Sequence, residues 1–121
     1  TFIIQGDLDP LVPWTGNRLL GFRSATDNLA VQERLNGIPE TDPGTVSFES
    51  GRTECKAYGT EASNVTLCRV SGMGHTWPSR SIRCMMSVAV DFCSTSLDAS
   101  EQVWSFFKRY ALDADDCAMC N

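Results

Sequence analysis

The sequence predicts an α/β fold with the element order strand, helix, strand group, helix. Three observations carry that reading. Residues 1–5, Thr-Phe-Ile-Ile-Gln, form a short β-branched-rich run stopped by Gly6, the pattern of a strand. Two capping signals, Ser24-Ala25-Thr26-Asp27 and Asp98-Ala99-Ser100-Glu101, each open a helix. Between them, residues 45–49, 54–58 and 65–70 alternate or cluster apolar residues between turn formers, which reads as three more strands.

Taken in order, the first strand runs into a Gly/Pro-rich loop, residues 6–16, that carries Asp9 and Trp14. The helix opened by Ser24 is expected to reach about Asn36, where Gly37 and Pro39 stop it. Its apolar positions, Ala25, Leu29, Val31 and Leu35, are few, so one face packs and the other is wet. Residues 39–44 are a turn-rich connector, and residues 59–64 link the last two strands. Residues 71–81 form a loop around His75, and residues 82–97 have no clean period. In the second helix Val103, Phe106, Phe107 and Tyr110 recur at i, i+3, i+4 and i+7 as one apolar stripe, and Trp104 is read as core. Asp98 lies at the positive end of the helix dipole, with Lys108 and Arg109 near its negative end.

Composition narrows the function classes. The 121 residues make at most one domain, and 42% hydrophobic with 21% charged content is ordinary for a chain with a buried core. A net charge of −5 with no basic stripe argues against a nucleic-acid partner. No apolar run approaches the roughly 18 residues of a membrane span, so no membrane partner is expected. Thr1 is not an initiator methionine, and a strand follows it with no lead-in. The chain is therefore expected to begin at a cut and to lack partners for its sheet.

Six cysteines point to disulfides and an oxidising compartment. Cys117 and Cys120 form a lone Cys-x-x-Cys with no second pair or histidine beside it, a poor start for tetrahedral zinc. Asn64-Val65-Thr66 is a glycosylation sequon in a polar turn. A secreted protein is expected, with no metal and no cofactor.

Two motifs carry chemistry. Gly6-Asp7-Leu8-Asp9-Pro10-Leu11-Val12-Pro13 and Gly72-Met73-Gly74-His75-Thr76-Trp77-Pro78 each follow a strand, and the second holds the only histidine. The glycines around His75 leave its imidazole exposed, where it can accept and return a proton near neutral pH. A carboxylate before it can orient the ring and stabilise its charged form. Both Asp7 and Asp9 stand in place for this, and Asp9 before Pro10 is equally suited to an Asx-type turn. Serine hydrolases of α/β type hold acid and base on such loops in the order Ser, Asp, His. No Gly-x-Ser-x-Gly precedes them here. Trp14 and Trp77 flank the pair and are candidates for an aromatic wall at the site.

Gly6-x-x-Asp9-x-x-Val12-Pro13 followed by Gly74-His75-Thr76-Trp77-Pro78 resembles the secreted esterases grouped with poly(3-hydroxybutyrate) depolymerases, feruloyl esterases and acetylxylan esterases. The likeness extends to Arg34-Leu35-Asn36-Gly37, Val65-Thr66-Leu67 and Val103-Trp104-Ser105-Phe106-Phe107. It implies that residues 1–112 are the C-terminal portion of an α/β-hydrolase sheet, followed by a Cys-containing tail at 113–121. It also implies that Asp9 is the triad acid and His75 the base. The nucleophilic Ser and its oxyanion hole would lie in a missing N-terminal half, and the chain alone would be inactive. The implied substrate is a polyester or a plant cell-wall ester. Where that family usually has His and often has Cys, this chain has Gln5 and Ile38. Cys55 with Cys68, and Cys84 with Cys93, are the candidate pairs instead, among the 15 pairings that six cysteines allow. A peptidase of the prolyl-oligopeptidase type, and a non-catalytic binding module on an esterase frame, remain as alternatives.

Overall fold

A computed structural model describes residues 1–81, 84 and 92–110. Its elements are β1 (Phe2–Gly6), α1 (Ala25–Leu35), β2 (Thr45–Ser50), β3 (Thr53–Gly59), β4 (Asn64–Val70) and α2 (Ala99–Phe107). A 3-10 turn, Lys108–Tyr110, extends α2. The four strands make one sheet in the order β1-β4-β3-β2. No helix among the described residues is long and apolar enough to cross a membrane.

The sheet corrects the expected architecture. It is a small mixed sheet with two short helices, not a portion of a parallel α/β-hydrolase sheet. Only β1 and β4 pair in parallel, while β4, β3 and β2 form an antiparallel meander. Connection length explains the difference. The turns at residues 51–52 and 60–63 are too short for a crossover, so β2–β3 and β3–β4 must be hairpins. The chain between β1 and β4, which includes α1, is long enough to return in the same direction.

Pleating divides the apolar residues between two faces. On one face Cys55, Cys68, Val70, Met73, Leu97 and Ala99 cluster with Phe2, Ile4 and Phe48. On the other, Leu29, Ile38, Val65 and Leu67 cluster with Ile3, Trp14 and Tyr58. Helix α1 thus covers one face and α2 the other. The disulfide Cys55–Cys68 joins directly facing positions of β3 and β4, and Cys84–Cys93 closes a second bridge. Cys117, Cys120 and the tail at 113–121 lie outside the described residues.

The helix starts follow their local sequence. Ser24 and Asp27 form a reciprocal capping box, with Asp27 N–H donating to Ser24 Oγ at 3.0 Å. Asp98 accepts from the Glu101 amide at 3.1 Å. The burial of α2 differs from its sequence pattern. Phe106 is 4% exposed against Phe2, with ring centroids 5.2 Å apart, but Phe107 and Trp104 face outward, Trp104 at 64% exposure. Successive residues lie about 100° apart around a helix, so Ala99 and Phe106 share the inward stripe while Trp104 and Phe107 fall on the next one. In α1 the inward stripe is Ala25, Leu29 and Glu33, which leaves Leu35 outside.

Candidate active site

The parallel pairing of β1 and β4 sets Gly6 opposite Val70, so the loops that follow both strands leave the sheet side by side. That juxtaposition brings together residues 66 apart in sequence. The loops touch at once: the Asp7 amide donates to Val70 O at 3.2 Å and the Leu8 amide to Met73 O at 3.1 Å. Any side chain at position 6 would collide with the Met73 carbonyl, so the approach requires Gly6. Gly72 turns the second loop with φ +74°, a conformation that L side chains rarely adopt.

Asp9 is the carboxylate that reaches the histidine. Its Oδ2 lies 2.8 Å from His75 Nδ1. Its Oδ1 accepts from the amides of Leu11 at 2.8 Å and Val12 at 2.9 Å, so the turn role and the pairing role coexist in one side chain. Gln5 Nε2 donates to Val12 O at 2.8 Å and holds the far side of the same turn. Desolvation of the 8%-exposed Asp9 side chain pushes its pKa up, but the Val12 amide, His75 and the Leu11 amide outweigh that and leave it below the ordinary range. Asp9 is therefore an anion at neutral pH, an acceptor only.

It follows that Nδ1 carries the proton of the neutral imidazole and Nε2 carries the lone pair. The ring is half exposed, and Nε2 has no hydrogen-bond partner among the described residues. The arrangement presents an oriented proton acceptor to solvent. Beside it opens a cleft of about 400 Å³, walled by Ile4, Gln5, Val12, Met73, Thr76 and Trp77 together with the pair. The loop is fastened from its other side, where the Gly74 amide donates to Phe92 O at 2.9 Å and the Ser79 amide to Ser94 O at 3.1 Å. Phe92 adjoins Cys93, so the Cys84–Cys93 bridge anchors that support.

The remaining candidates are placed as follows. Trp77 lines the cleft, and its Nε1 donates to Ser100 Oγ at 3.1 Å, which ties the indole to the start of α2. Trp14 lies elsewhere, half-buried with the Leu29 cluster under the Arg69 guanidinium, 5.3 Å above its ring. Asp7 does not reach His75. Its Oδ2 takes Arg69 Nη2 at 2.8 Å and its Oδ1 the Gly72 amide at 2.7 Å. Asn64 opens β4, and its side-chain carbonyl accepts from the Thr66 hydroxyl at 2.8 Å. No group of three or more His, Cys, Asp or Glu suited to a metal ion occurs among the described residues.

The sequence pattern did not single out Gln5 or Arg69, whose partners are set by the tertiary fold. Gln5 is marked only by standing where a resembling family has His. No protein-family model matches the chain, and no curated protein or solved structure is significantly similar to it.

Proposed function

We propose that the Asp9–His75 pair serves a serine-dependent carboxylic ester hydrolase as orienter and general base. The observation that supports this is the 2.8 Å contact between a buried, doubly anchored carboxylate and the Nδ1 of a half-exposed histidine that lines a cleft. A serine hydroxyl supplied from outside residues 1–121 loses its proton to Nε2 as its oxygen attacks the ester carbonyl carbon. The imidazolium, stabilised by Asp9, then gives that proton to the departing alkoxide, and an alcohol leaves. Water repeats the sequence on the acyl-enzyme and releases the acid. The Gly-His-Thr-Trp-Pro loop aligns this reading with the secreted polyester and plant cell-wall esterases. Export to an oxidising compartment, with Asn64 as a glycan site, fits the two disulfides.

Fluorophosphonate labelling of the natural protein that contains Thr1–Asn121 tests the proposal. The expected adduct is on a serine outside this stretch, formed about 10³-fold more slowly in His75→Ala. Hydrolysis of a p-nitrophenyl ester in preference to a prolyl peptide anilide separates esterase from peptidase. A protein that takes no label and cleaves neither substrate overturns the proposal.

A further inference from the structure

The Asp9–His75 hydrogen bond spans two loops, and half of the imidazole is in solvent. A single hydrogen bond at that exposure is too weak to set the distance between its own supports. Something else must hold the loops, and Asp7 touches both. It belongs to the loop of Asp9, and its Oδ1 accepts the amide of Gly72 at 2.7 Å in the loop of His75. Its Oδ2 receives Arg69 Nε at 3.1 Å and Nη2 at 2.8 Å from the end of β4. The Asp7 side chain is 15% exposed, so its bond to the Gly72 amide is partly shielded from water, while the Arg69 guanidinium on its other oxygen reaches solvent. Arg69 is itself fixed, because its guanidinium lies over the ring of Trp14, which packs on the α1 face of the sheet.

We infer that Asp7 is a positioning residue, a clasp that fixes His75 relative to Asp9 by holding the Gly72 amide. This rests on the esterase reading for its effect on catalysis, but not for its effect on the imidazole. Loss of the clasp leaves the Gly72 amide, three residues before His75, without its acceptor, with the backbone bonds of Asp7 and Leu8 to Val70 and Met73 still in place. A misplacement of about 1 Å there can cost about 10²-fold in rate.

His75 is the only histidine of residues 1–121, and comparison with His75→Ala picks out its ring in the nitrogen NMR spectrum, which then reports one tautomer. In the wild-type protein at a pH where the ring is neutral, Nδ1–H is expected. Asp7→Ala should convert this to a mixture with Nε2–H and lower kcat of the complete protein by about 10²-fold, with KM changed far less. Asp7→Asn keeps an acceptor for the Gly72 amide and should retain most of the wild-type tautomer and rate. Asp7→Glu keeps the charge for Arg69 but displaces the acceptor, and should behave like Asp7→Ala. It also carries the test if the alanine variant does not fold. An unchanged tautomer and rate in folded Asp7→Ala, or in Asp7→Glu, overturns the inference. A shifted tautomer in a protein with no hydrolase activity upholds the clasp and removes the esterase reading alone.

Discussion

The β3–β4 hairpin and the loops that leave β1 and β4 are held by different forces. The hairpin is a continuous antiparallel ladder with Cys55–Cys68 across it, and Cys55, Val65, Cys68 and Val70 are essentially inaccessible to water. The Asp9 and His75 loops have two buried apolar anchors between them, Met73 and Pro78, and otherwise depend on Asp7, Gln5, Gly6 and the amide of Gly74. Apolar burial is non-directional and tolerates small shifts, whereas charge-assisted hydrogen bonds fix distance and angle. The molecule keeps its stability in the first region and its chemical geometry in the second.

That division can be broken from the apolar side. Phe106→Ala empties the contact between α2 and Phe2, and should cost about 3 kcal/mol in urea unfolding. The tautomer of His75 should be unchanged in the folded fraction. Replacing both Cys55 and Cys68 by Ala releases a 13-residue separation and should cost about 2–3 kcal/mol by the same measurement. A loss of the His75 tautomer in either folded variant would mean that the two regions are not separable.

The polar side is sensitive to acid. Desolvation raises the pKa of Asp7, but the Gly72 amide and Arg69 outweigh it; for Asp9 the Val12 amide and His75 do the same, so both carboxyls lie below their ordinary range. A depressed carboxyl stabilises the fold above its unfolded pKa, near 4, and loses that contribution as pH falls through the folded value. Unfolding free energy should therefore drop below about pH 4, and Asp7→Ala or Asp9→Ala should flatten the drop. Glu33 has the opposite sign. Burial first, then Asp42 and Glu40, raise its pKa, so its contribution is favourable below the unfolded value and is lost as pH rises. Glu33→Gln should stabilise the protein at neutral pH and have little effect near pH 3. The smallest effect is expected at Trp104. Trp104→Ser, two positions from Phe106 on the outer stripe of α2, should change stability by no more than about 0.5 kcal/mol.

The same aromatic segment shows what could be read in advance. An i, i+3, i+4, i+7 pattern identified α2 and its start at Asp98, because capping and periodicity are local. It did not distinguish Phe106 from Phe107, since two adjacent stripes are both aromatic and only contact with Phe2 selects one. The capping box at Ser24 and the three strands from Thr45 to Val70 were legible for the same local reason, to within a residue at their ends. The arrangement of the whole sheet was not legible: the resemblance implied a portion of an α/β-hydrolase sheet, while short turns, a more direct constraint, make three of the four strands an antiparallel meander.

At the candidate site the sequence by itself determined which groups are present: one imidazole, two carboxylates beside Gly6, and glycines where the loops must turn. Position alone left Asp7 and Asp9 open, because both stand at a strand end and both suit a turn, and only the resemblance favoured Asp9. The tertiary structure decided which carboxylate touches the imidazole. The parallel register of Gly6 with Val70 brings the two loops into contact, and the pairing of Asp7 with Gly72 and Arg69 leaves Asp9 to meet His75. Hydrogen bonds act over about 3 Å, and no spacing along a chain can specify such a distance until the sheet has closed it.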